Sequence, residues 1–544
     1  MPESPLSRTS VNGSPPLDAY RQSAKYKRRW WTLIVLSLSL VVIGMDNTIL
    51  NVTLPTLQRE LHASASTLQW IVDLYVLVFA GLLLTMGTVG DRIGRAHALR
   101  VGLVIFGAAS AAAAYSGSSS SLIATRATMG VGAALIMPAT LSIITDVFPR
   151  EERGRAIGIW AGMAAMGIGI GPLVGGALLE KFWWGSVFLV NVPVIAIALV
   201  GGNLFVPNSR DPSPGAFDIP GVVLSIGAIS SFVYAVIEAP SRGWADGLVL
   251  GGFALAIVLG AAFAWRELTT ASPMLDFKFF RNPRFSFGAA SIGVSFFCLF
   301  GTTFGMTQYM QFVHGYSPLG AGLRLAPVSL GMLMGSSNAH RWVTRFGTAK
   351  VVSVALLILA VVISTYSLWS PDTAYWVVLV TILFFAFGMS NIMTPSTEAV
   401  MGAVPLSKAG VGSAMNDVMR QTSGAFGIAV IGSLMNTIYS HKMANAVAAL
   451  PNAAAGPAKD SIGGALQVAA KLPAAQGGTL ANAARHSFTD AFGLALLAGA
   501  GTAIVMSALV LRFMPARHLG QQITPGTQTA GSVLEQPASV TAKR

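Results

Sequence analysis

Apolar residues run in long blocks along nearly the whole chain, separated by short polar joints rich in glycine, proline and arginine. A helix needs about 20 apolar residues to cross a bilayer. Fourteen blocks meet that length, at about 31–53, 67–89, 97–116, 121–146, 155–179, 187–207, 218–238, 247–266, 285–311, 319–340, 349–369, 373–396, 414–439 and 487–513. The pattern predicts an all-α integral membrane protein with fourteen transmembrane helices. Residues 1–29 are polar and Pro/Ser-rich, ending in Lys25, Lys27, Arg28 and Arg29, and residues 521–544 are similarly polar. Both read as disordered tails. The first apolar run starts too late and is too long for a cleavable signal peptide.

Composition agrees with this pattern. Of 544 residues, 53% are hydrophobic and 10% charged, against roughly 25% charged in soluble proteins. The net charge of +13 does not imply nucleic acid, because the basic residues cluster in alternate short loops. Arg92, Arg95 and Arg100 follow span 2; Arg150, Arg153 and Arg155 follow span 4; Lys278, Arg281 and Arg284 follow span 8; Arg341, Arg345 and Lys350 follow span 10. Basic loops stay in the cytoplasm, so both termini are expected there, in a multi-pass protein of the bacterial cytoplasmic (inner) membrane. The Ala/Gly/Pro-rich stretch at about 440–486 then lies outside, where it has room for short helices that form a flap. Cys298 is the sole cysteine, so no intrachain disulfide forms.

The sequence also repeats. Asp91-Arg92-Ile93-Gly94 follows span 2, and Thr344-Arg345-Phe346-Gly347 follows span 10. That interval predicts two equivalent six-helix bundles, residues 30–210 and 271–520, with spans 7 and 8 inserted at 211–270. Transporters built from such repeats place the substrate at the interface.

Charges at membrane depth are costly and point to function. Asp46, Asp73 and Arg126 lie seven, six and five residues from the outer ends of spans 1, 2 and 4, or roughly 8–10 Å deep at helical rise. One polar cavity shared by all three is expected, with Arg126 favouring ionised carboxylates and desolvation opposing it. A lipophilic cation needs a negative partner and aromatic faces, and Trp70 and Tyr75 flank Asp73 on its helix. Met45, Met306, Met310, Met332 and Met334 offer adaptable apolar surface. Arg324 lies near the outer end of span 10, either as an anchor for a carboxylate or snorkelling to the interface. In span 13, Asp417 precedes Arg420 by three residues, a spacing at which the two can pair.

Four further segments carry motif character. Span 1 holds Met45-Asp46-Asn47-Thr48 through Asn51 to Leu54-Pro55. The loop after span 2 holds Gly87, Gly90, Asp91, Arg92, Gly94 and Arg95, a latch in which Asp91 caps span 3 or pairs with a guanidinium, and Asp146 is a candidate partner for Arg92 or Arg95. Span 4 carries Arg126-x-x-x-Gly130-x-Gly132. Span 5 carries Gly167, Gly169, Gly171, Pro172, Gly175 and Gly176. Small residues there allow close helix approach, and the proline bends the helix. A dinucleotide loop is excluded because the third glycine is misplaced and the run lies in lipid.

In order and spacing these segments resemble the major facilitator superfamily, in particular the fourteen-span drug:proton antiporters of the QacA/EmrB type. The resemblance covers spans 1 to 14. It implies the major facilitator fold, a proton-transfer role for Arg126, and an antiporter helix in span 5. Trp70-Ile71-Val72-Asp73-Leu74-Tyr75 is similar to the second span of pumps for quaternary ammonium compounds and cationic dyes. One departure lies in span 13: cationic-dye pumps carry acidic residues there, whereas this chain has Asn416 and, near the inner end, Asp417 with Arg420 three residues on, so the resemblance does not extend to export of divalent cations.

The expected function is proton-coupled export of lipophilic cations. A proton reaching Asp46 or Asp73 displaces the drug, so both need only be mutually exclusive ligands of the same carboxylates. Export of an endogenous metabolite or antibiotic is the alternative on the same fold, with proton symport and a membrane enzyme behind it. No phosphate-binding loop for an ATP-driven pump is present, and the seven histidines show no metal-ligand spacing. No cofactor or metal is expected. The partners are drugs, protons and the bilayer, and a monomer suffices.

Overall fold

A chain that leaves water must satisfy its backbone groups internally, so each apolar run becomes a helix. The computed structural model describes residues 24–61, 65–210, 218–270, 273, 275–405, 408–448 and 450–515. Most of both tails lies outside the described residues, as do the side chains of Asn51, Leu54, Pro55 and Asp73.

Among the described residues fourteen long helices follow one another: α1 Arg29–Glu60, α2 Ala65–Ile93, α3 Arg95–Ala114, α4 Ser119–Val147, α5 Arg150–Lys181, α6 Asn191–Phe205, α7 Ile219–Arg242, α8 Gly247–Thr269, α9 Pro283–Gln308, α10 Val328–Phe346, α11 Thr348–Thr365, α12 Tyr375–Gly402, α13 Ala409–Val447 and α14 Ala474–Phe513. No strand occurs among the described residues. All but α10 and α13 belong to a helical stretch long and apolar enough to cross a membrane, which for α6 begins at Ser186 with the short helix Ser186–Leu189. These two carry polar runs, Ser336-Ser337-Asn338 and Asn416-Asp417, because both lie on the seam between the halves of the molecule.

Packing partners recur at an interval of eight helices. In the first half α1 packs on α5 and α6, α2 on α4, and α3 on α4 and α6. In the second, α9 packs on α13 and α14, α10 on α12, and α11 on α12 and α14. The halves meet where α13 contacts α2 and α4, and where α5 contacts α10 and α12. The repeated loop has the same backbone device in each half. Gly94 (φ 106°) separates α2 from α3, and Gly347 (φ 86°) separates α10 from α11. A side chain is strained at such angles, which is why glycine stands at both joints.

Helices α7 and α8 form a hairpin, and α7 lies along both α2 and α13. Gly81 of α2 lets Ser230 of α7 come against its backbone. At the other flank Trp244 donates from Nε1 to Ser433 of α13 at 3.0 Å and packs edge-on against Phe426. The outer face of α8 shows Leu250, Ile257, Val258 and Trp265 to the surroundings, as a lipid-facing helix must.

The largest departures from the expected boundaries are three. Span 10 is broken: a short helix Pro318–Leu325 ends before Pro327, and α10 then runs on to Phe346. Proline removes an amide and disfavours helical backbone just before it. Helix α13 continues to Val447, and α14 starts at Ala474 rather than near 487. Hydropathy marks only the lipid-embedded part, whereas alanine keeps these extensions helical. Between them lie two short helices, Asn452–Asp460 and Ile462–Ala469, packed on the extensions of α13 and α14. The Tyr439 hydroxyl donates to the Ala458 carbonyl at 3.1 Å, and Phe312 meets Gly463.

Candidate functional site

The site begins with two helices brought unusually close. Gly44 of α1 has no room for a Cβ against the Ala164 carbonyl of α5. Across the same line Gly167 faces the backbone of Val41, Gly171 faces Met45 and Thr48, and Gly175 faces Ile49. Thr48 donates to the Ile168 carbonyl at 3.0 Å. The span 5 glycines therefore form a seam with α1, the helix that carries Asp46. A second stripe of α5, Gly158, Gly162 and Gly169, faces Ser336, Leu333 and Ser329 of the second half. Pro172 lies against Gly322 of the short helix before α10, and a Cβ on Gly176 would meet open space.

Asp46 and Arg126 form an ion pair at 2.5 Å, with side chains 0% and 1% exposed. Two isolated charges would not survive such burial, and each is held by further bonds. Arg126 donates from Nε to the Ile71 carbonyl at 3.2 Å and lies 4.2 Å from the centre of the Tyr75 ring. Asn191, the first residue of α6, donates to Asp46 Oδ1 at 3.4 Å and to Ser110 at 3.1 Å. Ser110 donates onward to the Phe188 carbonyl at 2.9 Å. The ensemble sits inside the first bundle, drawing on α1, α2, α3, α4 and α6.

This placement corrects two expectations. Asp46 is sealed among helices in this conformation and touches Arg126 rather than an open vestibule. Tyr75 is fully buried under Arg126 and beside Phe79, so it is part of the ion-pair housing. Trp70 stacks on Tyr234 of the inserted α7, with ring centroids 6.5 Å apart. A helix turns about 100° per residue, and those two rings point to different neighbours for that reason. Met306 and Met310 are buried in the core of the second half. Arg324 lies 3.8 Å over the Tyr316 ring and donates to the Gly320 carbonyl at 3.2 Å. Asn191 escaped sequence reasoning, though a lone carboxamide at the head of an apolar span was a legible signal.

The latch takes one of its two expected forms, a carboxylate–guanidinium pair, and adds a partner from the opposite half. Asp91 takes Arg95 at 2.8 Å, four residues on. Its other oxygen accepts from the Gly410 and Val411 amides at 2.8 and 3.3 Å. Those amides open α13, so Asp91 caps a helix of the opposite half and meets the positive end of its dipole. Gly87 permits this by meeting Gly410 and Ala414 without a side chain. Gly90 faces Ala98, and Gly94 turns the chain beside Asn208. Arg92 and Asp146 are half-buried at the same end. The two halves are thus fastened at the end that carries the basic loops.

Residues 36–428 match the Major Facilitator Superfamily. The chain is 36% identical over 485 residues to the multidrug efflux pump LfrA of Mycolicibacterium smegmatis, covering 89% of this chain and 94% of that protein. It is 32% identical over 514 residues to the tetracenomycin C resistance and export protein of Streptomyces glaucescens (93% and 96% covered). It is 35% identical over 495 residues to the methyl viologen resistance protein SmvA of Salmonella typhimurium (90% and 99% covered). The fold is also that of the proton:xylose symporter XylE, with TM-score 0.57 at 14% identity over 90% of this chain and 96% of that one. The human organic anion transporter MFSD10 gives TM-score 0.56 at 14% identity, covering 91% and 100%. With its paired bundles and its relatives among resistance pumps, this chain is an integral membrane transporter and belongs to the major facilitator superfamily.

Proposed function

We propose that the protein exports lipophilic, positively charged drugs in exchange for protons, from a bacterial cytoplasmic membrane with both termini inside. The observation that carries this reading is the sealed Asp46–Arg126 pair beside the α1–α5 glycine seam. A proton on Asp46 removes one charge of the pair and leaves Arg126 with the Ile71 carbonyl and the Tyr75 face. A seam without side chains transmits that change, since backbone meets backbone along Gly167 and Gly171. The end latched by Asp91 is the cytoplasmic end in this orientation, so the latch closes Asp46 off from the cytoplasm, and the proton reaches it only when the helices around it open toward the outside. Asp73 supplies the charge that recognises a cation. The relative named for methyl viologen resistance supports a cationic substrate, because methyl viologen is a quaternary bipyridinium. The relative named for tetracenomycin C export favours a second reading, export of an antibiotic on the same machinery.

Cells or vesicles loaded with ethidium under an imposed pH gradient test the proposal. Efflux is expected to follow the gradient, to stop with an uncoupler and to ignore ATP depletion. Asp46→Asn is expected to slow efflux of every substrate by at least about a hundredfold. Asp73→Asn is expected to spare neutral drugs and lose cations. Gradient-driven efflux that survives Asp46→Asn refutes the assignment.

A further inference from the structure

The outer end of the second half carries a histidine that neither the ion pair nor the latch uses. Helix α9 widens after Gln308 into a π turn, Tyr309–Val313, and His314 follows it, just past the spanning stretch Pro283–Val313. Such turns are rare and occur mostly at functional sites. The His314 amide donates to the Tyr309 carbonyl at 3.2 Å, and the Tyr316 amide to the Met310 carbonyl at 3.1 Å, across Gly315 at φ 71°. The imidazole stacks on the Tyr316 ring, with centroids 5.5 Å apart and planes within 4°, and takes the Tyr309 ring edge-on at 4.9 Å. Its Nε2 is buried and has no hydrogen-bond partner among the described residues. The Tyr316 ring also carries Arg324, 3.8 Å from its centre. Arg324 of the short helix and Asp372, exposed on the loop between α11 and α12, are the charged groups that bear on His314. Tyr309 and Tyr316 are the titratable rings against it, and Arg485 of α14 reaches the nearby Phe312 carbonyl at 3.4 Å.

This turn is tied to the place where the outer ends of the two halves touch. Arg324 belongs to the short helix Pro318–Leu325, whose Gly322 lies against Pro172 and Leu173 of α5, at the end opposite the latch. Tyr375 of α12 steadies the same helix by donating to the Arg324 carbonyl at 3.0 Å. A neutral imidazole fits its stacked place. An imidazolium does not, because both ring nitrogens then donate, Nε2 meets no acceptor, and the new charge faces Arg324. Burial first, and Arg324 second, hold His314 below the usual histidine range, against a smaller pull from Asp372. His314 is therefore neutral at neutral pH and charges only in acid. The sign follows: the stacked arrangement is favoured above about pH 6.5, the ordinary imidazole value, and loses ground as pH falls below it.

We infer that His314 is the acid sensor of an outer gate: a proton from the outside water forms an N–H bond on its ring, the Tyr316–Arg324 stack gives way, and the short helix releases α5. That proton returns to the outside water and is not carried across. The inference rests on the orientation proposed above and adds to it a device that opens the way toward Asp46 on the side where protons are abundant.

The gate is read as a distance. Lys181, at the outer end of α5, and Leu323, on the short helix, are both exposed. Spin labels on Lys181→Cys and Leu323→Cys, in full-length protein carrying Cys298→Ser, report their separation by pulsed electron resonance. With His314 in place, the long-distance population is expected to grow at least about threefold between about pH 7.5 and about pH 5, with a midpoint below about 6.5. His314→Phe keeps a stacking ring that cannot charge, and is expected to hold its short distance throughout. His314→Gln, a second neutral side chain, is expected to match it. A distance that ignores pH with His314 in place overturns the sensor, and so does an acid response of wild-type size in both neutral variants. A response that vanishes in Asp46→Asn and persists in His314→Phe belongs to Asp46 and also overturns it. The distances need neither drug nor gradient. Ethidium efflux that ignores the gradient therefore refutes the coupled reading alone and leaves the pH response of the gate standing.

Discussion

The two buried acid–base pairs are built from the same residue types, each with its arginine over an aromatic ring, and differ in how the acid is held. Asp46 meets Arg126 at 2.5 Å across three helices' separation in sequence, and Asn191, Ile71 and Tyr75 complete their surroundings. Asp417 and Arg420 share one helix, stand 3.6 Å apart, and leave both acid oxygens unbonded. The first pair joins helices within one bundle. The second faces the opposite bundle through Trp160. Chain proximity therefore says little about how well a pair is made; the local supply of donors decides it.

The contrast can be broken most sharply at the first pair. Arg126→Ala strands a buried carboxylate, and a loss of about 3–5 kcal/mol of stability is expected, read as a large fall in the melting temperature of purified protein along with abolished efflux. Arg420→Ala is expected to cost clearly less, because Asp417 is already without hydrogen bonds; equal losses would refute the contrast. Next comes the seam. Gly171→Val drives a branched side chain into Met45 and Thr48, with an expected cost of about 1–3 kcal/mol, while Gly176→Val, facing open space, is expected to melt near wild type. Asp91→Ala removes the cap on α13, worth about 0.5–2 kcal/mol. Its clearer readout is conformational: disulfide trapping between cysteines placed at the latched ends of α2 and α13 is expected to fall. The smallest effect is expected from Trp70→Leu, about 0.5–1.5 kcal/mol from a lost ring contact, with cation selectivity unchanged because the ring faces Tyr234.

Much of this is legible in the sequence itself. Apolar blocks announced the helices, and Asp46 and Arg126 announced themselves by being charged within them. The repeated loop at Gly94 and Gly347 was visible as letters and proved to be a shared backbone turn. What stayed hidden was direction. Tyr75 and Trp70 lie five residues apart on one helix, yet one closes over Arg126 and the other leaves for α7. Periodicity gives a face, and it does not give the neighbour waiting there. The second partner of Asp91 was equally invisible, because it is a pair of amides more than three hundred positions away, and amides carry no letter. The break at Pro327 and the long outer ends of α13 and α14 escaped because hydropathy measures lipid contact, not helix length.

The inserted hairpin has a mechanical corollary. Helix α7 is gripped by Gly81 on one flank, while the hairpin's Trp244 is bonded to Ser433 on the other. A strut attached on both banks cannot keep both attachments when the banks draw apart. Any rocking that widens the line between α2 and α13 must slide the smooth glycine contact or snap the indole bond. On the α2 side the hold is the Gly81 contact together with the stacked Trp70 and Tyr234 rings, and on the α13 side it is the indole bond, so the inserted pair resists any widening of the line between the halves.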